Sequence, residues 1–202
     1  LDVGCATGIL LNGLQKKDWD CFGVEPNSKA AVYAKTRFGL NIITGYLEDT
    51  NFPDDYFDVV TIFDVLEHLQ KPIDFIQEIR RILKADGWLI GTLPNSSSWE
   101  CKIFGPYWAG WEVPRHYRTF NPKNLQNFFS QYGFKKIKFS NSTGRHGALM
   151  MSLNFWLDEW VGPDWVKIFL RKFLGSLPIR IITLPMFLIE ERFNRSTILL
   201  FY

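Results

Sequence analysis

Residues 1–17 read LDVGCATGILLNGLQKK. LDV is the end of a buried strand, GCATG a glycine turn, and Ile9 to Lys17 an amphipathic helix. A strand that runs through a tight glycine turn into a helix N-terminus is where an open α/β sheet holds a nucleotide-like ligand. Because the chain opens inside that strand, an N-terminally truncated domain is expected, with the rest of the strand before Leu1.

Outward from this turn the pattern alternates. CFGVE (Cys21 to Glu25) is a short buried strand closed by an acid, and SKAAVYAKTRF (Ser28 to Phe38) is a helix with Asn27 or Ser28 as its N-cap. LNIITG is a third strand, and FDVVTIF (Phe57 to Phe63) a fourth, almost wholly apolar as a central parallel strand should be. PIDFIQEIRRIL (Pro72 to Leu83) begins on proline, repeats apolar residues at helical spacing and finds its stop at Asp86-Gly87. WLIGTLP is a fifth strand. Such alternation predicts a doubly wound, Rossmann-like, mostly parallel sheet with right-handed crossovers.

Beyond Pro94 the rhythm changes. Residues 95–118 are rich in Ser, Gly, Pro and Trp and too long for an ordinary connection, so they read as a lid. NPKNLQNFFSQYGF (Asn121 to Phe134) is a capped helix, and KKIKFS a strand with Lys135, Lys136 and Lys138 toward its outer face. An apolar helical insertion follows over about 149–193, before STILLFY closes the chain as a strand. The whole is read as a single domain, 1–202.

Composition bounds the class. Of 202 residues, 47% are hydrophobic and 22% charged, which is globular and not disordered. The 16% of aromatic residues point to large apolar pockets or an interface. Cys5, Cys21 and Cys101 have no CxxC spacing and read as free thiols of a reducing, cytoplasmic compartment. These residues show no signal-peptide pattern and no apolar run of about 18 residues, so a spanning helix is not expected among them. Residues 1–100 hold 9 Lys/Arg against 15 Asp/Glu, whereas residues 101–147 hold 8 against Glu112 alone. A basic segment beside an acidic half suits an anionic substrate or surface, and equally a solvated rim.

The ligand follows from spacing. A dinucleotide fingerprint needs glycines at its first, third and sixth positions. Here those positions are Gly4, Ala6 and Ile9, so a pyrophosphate is disfavoured. The pattern is instead Gly4 and Gly8 with Asp2 just before them, Glu25 at the end of the second strand where a carboxylate can accept from ribose hydroxyls, and GYLED (Gly45 to Asp49) after the third. Four such signals at the strand ends, the side on which open sheets bind ligands, are together specific.

LDVGCATG, GVEP, GYLED, FDVVTIFDVLEHL and IQEIRRILKADGWLIGTLP resemble the class I S-adenosylmethionine-dependent methyltransferases, in the small-molecule branch that includes ubiquinone-biosynthesis-type O-methyltransferases. The resemblance is tight over about 1–94 and continues through WEVPRHYRTFNPKNLQNFFSQYGF. It implies a seven-stranded sheet with an antiparallel last strand, STILLFY, beside KKIKFS. It implies S-adenosyl-L-methionine as cofactor, with Gly4, Ala6 and Gly8 around the methionine moiety and Asp2 facing its amino group. Glu25 would take the ribose, Leu47, Glu48 and Asp49 would lie near adenine, and Phe63 and Asp64 would flank the sulfonium end. Two departures stand out: Ala6 replaces a usual third glycine, and Tyr46 replaces an acid of the adenine segment.

A hydroxyl nucleophile benefits from a general base, and histidine suits neutral pH. His116 in WEVPRHYRTF and His68 in DVLEHL are the candidates, with His146 weaker. Trp108, Trp111, Arg115 and Tyr117 crowd the same lid as His116 and are candidates for the substrate pocket. If helical, Asp64, Glu67 and His68 would share one face and could hold a divalent metal, as in a metal-dependent subgroup of the ubiquinone-pathway enzymes. The same EHL also occurs in metal-free relatives, and the expectation is no metal. In PDWVKIFLRKFLG (Pro163 to Gly175), Trp165, Ile168, Phe169 and Phe173 lie on one side with Lys167 and Arg171 on another, which makes 163–189 a candidate peripheral membrane contact; a helical cap on the pocket or a dimer contact is the competing reading.

The expected activity is methyl transfer from S-adenosylmethionine to a small, anionic or apolar acceptor, at a hydroxyl oxygen. Transfer to nitrogen or carbon on a similar pocket, or a non-catalytic cofactor-binding or membrane-surface role, are the alternatives. A nucleic-acid partner is not expected, since FDVL (Phe63 to Leu66) stands where amino-methylating enzymes carry an Asn/Asp-Pro-Pro-aromatic tetrapeptide. The oligomeric state is left open.

Overall fold

A computed structural model of the chain describes residues 1–141, 145–160, 162–176, 178 and 196–202. Its strands are β1 (Asp2–Val3), β2 (Phe22–Glu25), β3 (Asn41–Thr44), β4 (Phe57–Phe63), β5 (Leu83–Pro94), β6 (Phe139–Asn141) and β7 (Ile198–Phe201). They form one seven-stranded mixed sheet in the order β3-β2-β1-β4-β5-β7-β6, antiparallel at its last strands, as the sequence predicts. β1 pairs in parallel with β2 (Val3 opposite Val24) and with β4 (Asp2 opposite Thr61), and β2 in parallel with β3. The helices are α1 (Ile9–Gln15), α2 (Ser28–Phe38), α3 (Pro72–Ile82), α4 (Trp99–Phe104), α5 (Pro122–Gln131), α6 (Arg145–Trp160) and α7 (Asp164–Leu174).

Contacts group the chain into two units: Leu1–Gly91 with Phe128–Ile137 and Phe201–Tyr202, and Thr92–Asn127 with Lys138–Leu200. In the first, α2 begins where Asn27 Oδ1 accepts from the amides of Lys29 and Ala30, and ends on Gly39 in the left-handed region. Its Ala31 and Ala34 pack with Cys5, Leu11, Leu40 and Ile42 in one buried cluster. α3 buries Phe75, Ile76, Ile79 and Ile82, the stripe its spacing predicts; each such side chain contributes roughly 1.5–3 kcal/mol. Phe22, Phe52 and Tyr56 meet the buried Phe57 or one another edge to face, with centroids 4.9–6.3 Å apart, so part of the high aromatic content goes into a cluster at the edge of the core.

Three expectations change. α3 does not run on to Asp86-Gly87: the chain turns into β5 directly at Leu83, and both residues lie within that strand. The carbonyls of Arg81 and Ile82, which a helix C-cap would otherwise satisfy, accept instead from the amides of Asp55 and Tyr56. Second, Lys135 to Lys138 precede the strand, which begins at Phe139, and Lys136 adopts φ +56°, so these lysines do not alternate on a strand face. Third, Asp64, Glu67 and His68 share no α-helical face. Only Leu66–His68 form a single 3₁₀ turn, preceded by Asp64 at φ +53°.

In the second unit, Asn95 is wholly buried and ties three segments. Its backbone N–H donates to the Thr197 carbonyl, its Nδ2 donates to the Ser196 carbonyl, and its Oδ1 accepts from the Ser97 amide and hydroxyl. α6 and α7 are joined by Arg171, which donates to Asn154 Oδ1 (3.1 Å) and Asp158 Oδ1 (2.6 Å). No helix among the described residues is long and apolar enough to cross a membrane. Of the candidate membrane contact 163–189, residues 177 and 179–189 lie outside the described residues, as do residues 190–193 at the end of the insertion.

Candidate active site

In the first unit the structure gathers Asp2, the glycine turn and Glu25. Gly4 and Cys5 both donate to the Val24 carbonyl (2.8 and 3.2 Å), which closes the turn against β2. Gly4 sits at φ +76°, and a Cβ there would lie 2.8 Å from Val65 Cγ2, so both the left-handed backbone and the close pass of Val65 favour glycine. Ala6 also adopts a left-handed backbone, φ +46°, at the position where the resembled family carries glycine. Its methyl fits, at a conformational cost of about 1 kcal/mol.

Glu25 is only 7% exposed, and each of its carboxylate oxygens has a main-chain partner: Oε2 accepts from the Ala6 amide (2.8 Å) and Oε1 from the Asn27 amide (2.7 Å). Each oxygen keeps a second lone pair, so the pair of main-chain donors sets the carboxylate's direction without exhausting it. Asp2, 5% exposed, accepts from the Thr61 hydroxyl (2.7 Å). Burial pushes its carboxyl up to about 6, against the downward pull of that hydrogen bond. Burial likewise pushes the Cys5 thiol up to about 12, so it stays protonated and behaves as core.

The neighbouring sequence candidates fall as follows. Leu47 is buried, whereas Glu48 and Asp49 are exposed on the 3₁₀ turn Leu47–Asp49, where Asp49 Oδ2 accepts from the Tyr46 amide. Phe63 and Asp64 are exposed at the end of β4, and the positive φ of Asp64 turns the chain sharply away from the strand. Gly8 caps α1 at φ +74°. His68 closes the Leu66–His68 turn half-buried, its amide donating to the Val65 carbonyl. Strain at Ala6 and Asp64, both flanking the turn side of the sheet, is the kind that collects at ligand sites.

In the second unit the segment 95–118 folds as α4 and two 3₁₀ turns, Gly105–Tyr107 and Ala109–Trp111. Trp108 is 1% exposed and meets Trp111 edge to face at 5.3 Å, and Trp111 Nε1 donates to the Gly105 carbonyl. A Cβ on Gly110 would collide with the Trp108 ring, so the close pass of the backbone over the indole requires glycine. Ser152 of α6 holds this turn by accepting from the Ala109 amide. Arg115 and Tyr117 are exposed. The His116 ring is 7% exposed, its Nδ1 2.8 Å from the Gly110 carbonyl and its Nε2 3.3 Å from Glu112 Oε2. His146 lies in α6.

Sequence reading missed Thr61, Asn27 as a partner of Glu25, and Glu112. The last carried a usable signal, being the single acid among residues 101–147.

A methyltransferase-domain family matches residues 1–138. A ubiquinone biosynthesis O-methyltransferase of Histophilus somni is 27% identical over 189 residues, spanning 85% of this chain and 77% of that protein. One from Nitrosomonas europaea is 32% identical over 102 residues, but only 47% of this chain and 43% of that protein. Among solved structures, an S-adenosylmethionine-dependent methyltransferase of Archaeoglobus fulgidus shares the fold, with a TM-score of 0.59 at 17% identity over 99% of this chain and 83% of that one. The chain belongs to the methyltransferase-domain family and is a class I, S-adenosylmethionine-dependent methyltransferase. The left-handed glycine turn at Gly4 and the carboxylates of Asp2 and Glu25 offer close backbone approach and hydrogen-bond acceptors, which suit a cofactor that carries an amino group and ribose hydroxyls.

Proposed function

We propose that the enzyme methylates a hydroxyl oxygen of a small molecule. The bound cofactor supplies an electrophilic methyl on a sulfonium, so the protein's tasks are alignment, exclusion of water and removal of one proton. On this reading the spare lone pairs of Glu25 take the ribose hydroxyls and Asp2 takes the amino group. Leu47, Glu48 and Asp49 border the adenine, and Gly4, Ala6, Gly8, Phe63 and Asp64 surround the methionine end.

The observation that carries oxygen transfer is the setting of His116. The Gly110 carbonyl can only accept, so Nδ1 carries a proton, and Nε2, which faces the Glu112 carboxylate at 3.3 Å, is the basic atom whenever the ring is neutral. The bound cofactor would supply the methyl and leave as S-adenosylhomocysteine; His116 would take the acceptor's hydroxyl proton at Nε2 and release it to water. His68 is the second candidate for this task. Trp108, Trp111, Arg115 and Tyr117 supply the acceptor side, where the net positive charge of 101–147 favours an anionic acceptor. The names of the two relatives support an oxygen acceptor.

Incubation with methyl-labelled S-adenosylmethionine and a panel of phenols, amines and carbon acids tests this. An O-methyl product is expected, and an N- or C-methyl product would overturn it. His116→Ala should lower turnover about 100-fold or more while S-adenosylhomocysteine affinity changes less than about twofold.

The exposed face of α7 supports a peripheral membrane contact as a second element of this proposal. Trp165 is 73% exposed, Ile168, Phe169 and Phe173 are exposed beside it, and the Phe169 and Phe173 rings stack. Lys167 and Arg171 turn toward Asp158 of α6 rather than outward, so the informative change is in the apolar face. Flotation with anionic vesicles should weaken in Trp165→Ser/Phe169→Ser, and unchanged flotation would reject the contact.

A further inference from the structure

We infer that the first unit carries a second ligand site, for a small aromatic oxyanion (a phosphate monoester or a carboxylate), at the end of the sheet away from the glycine turn. A cavity of about 500 Å³ opens there, wholly within that unit. It lies along the first residues of β5, Leu83 to Leu89, and is lined by Arg80 of α3 and by Phe129 and Gly133 at the end of α5. β4 and β5 run side by side in the same direction, since Gly87 lies against Asp58 and Gly91 against Ile62. Thr61 faces Asp2, so the glycine turn lies toward the other end of β4, near Phe63. From Asp58 to Phe63 the strand rises roughly 17 Å, which keeps the cavity clear of the residues assigned to the cofactor.

Charge and surface both point to an anion with a flat apolar body. Arg80 is half-buried, and one of its N–H groups donates to the Leu83 carbonyl (3.2 Å). Among the described residues it meets no carboxylate, whereas its neighbour Arg81 takes both Glu78 and Asp54. Most of its planar fork of donors is therefore left for an oxyanion, which it can grip bidentately. Lys135 and Lys136 add two exposed ammonium groups to the lining, with no ion pair among the described residues. Lys84 is held by Asp58 (2.7 Å), and Asp86 is the single acid of the lining. The balance in the cavity is positive, and low-dielectric walls focus such a field. Those walls are apolar: Leu89, Phe129 and Phe201 are nearly buried beneath it. Trp88 is 49% exposed at its side, its ring 6.3 Å from that of Tyr202, and presents an indole face on which an aromatic ring can stack. The volume is that of a small-molecule site and exceeds what an inorganic ion fills.

The competing view is a solvated basic rim with no selectivity. Calorimetry of the chain with 1-naphthyl phosphate and 1-naphthoate, with and without saturating S-adenosylhomocysteine, separates the two. At least one of these probes should bind saturably and one to one, with an affinity that S-adenosylhomocysteine changes by less than about twofold; the tighter of the two names the head group. Inorganic phosphate and 1-naphthol, the halves of the first probe, should each bind about tenfold more weakly or worse. Arg80→Gln should weaken the probe about tenfold or more, and Lys135→Gln/Lys136→Gln about threefold or more. Both variants should keep their S-adenosylhomocysteine affinity within about twofold, a sign that the unit is folded. The lysine variant, altered only at exposed side chains, carries the test if Arg80→Gln fails to fold. No saturable binding of either probe, displacement by S-adenosylhomocysteine, equal affinity for inorganic phosphate, or an unchanged affinity in the folded variants would each overturn the site.

Discussion

The two units hold their functional groups in opposite ways. Around β1 and β2 the main chain orients the side chains: Glu25 is directed by the amides of Ala6 and Asn27, and the glycine turn is closed by the Val24 carbonyl. In the segment 95–118 the side chains prop up the main chain. Asn95 answers for Ser97 and Ser196, Ser98 for Cys101, Ser152 for Ala109, Trp111 for Gly105 and His116 for Gly110. Where a sheet supplies the donors, a short motif suffices to build a ligand site. Where no ladder is at hand, each turn needs its own polar side chain, drawn from elsewhere in the chain.

The contrast can be broken by single substitutions. Glu25→Ala should strike hardest, leaving two amides without their acceptor; S-adenosylhomocysteine binding measured by calorimetry should weaken at least about 100-fold, with a stability loss of roughly 2–4 kcal/mol. Undiminished affinity would mean that the turn holds itself without the carboxylate. Asn95→Ala is the counterpart in the other unit: three side-chain hydrogen bonds vanish from a buried site, and urea unfolding should show a loss of about 3 kcal/mol. Its effect on S-adenosylhomocysteine affinity should stay within about threefold, and a larger loss would show that the units are not independent in this respect.

Asp2→Asn sharpens the first half of the comparison. The carboxyl of Asp2 is raised from 3.8 to about 6 in the fold, so the group favours the folded state below the lower value and that contribution is lost as the pH rises through 6. Asparagine keeps an acceptor for Thr61 without the charge. The variant should therefore gain about 3 kcal/mol at pH 8 and little at pH 4, while binding S-adenosylhomocysteine more weakly at pH 8. A gain equal at both pH values would remove burial of the charge as its cause. Ala6→Gly should have the smallest effect, a net change within about 1 kcal/mol, since relief of the left-handed alanine is offset by the greater freedom of glycine in the unfolded chain.

This contrast also explains what the sequence made legible. Asn27 as a cap, Glu25 as the acid of a strand end and Gly4 as the turn residue are local chemistry, decided within a few positions, and each stands where it was read. The full length of β4 followed from its apolar run in the same way. The start of β5 did not, because α3 is ended by Asp55 and Tyr56, which lie far upstream. The lysines after Phe134 imitate strand alternation, but the strand starts beyond them. DVLEHL imitates a helical face, yet the turn at Asp64 breaks it after β4. Glu112 was visible as a lone charge, but only the turn that folds Arg115 and His116 back over it shows what that charge faces.

The passage from α3 into β5 has a consequence for how this fold can vary. With no connecting residues at Ile82–Leu83 and the last helical carbonyls already committed to Asp55 and Tyr56, the junction has no slack. One inserted residue would exchange the two faces of β5 over its whole length, turning Leu89, Gly91 and Leu93 out of the positions they now fill. Gly91 in particular passes so close to Ile62 and Phe201 that no side chain can take its place. Length changes within this family are therefore expected to gather elsewhere, and a chimaera cut at Ile82–Leu83 should be among the least tolerant of any mismatch in length.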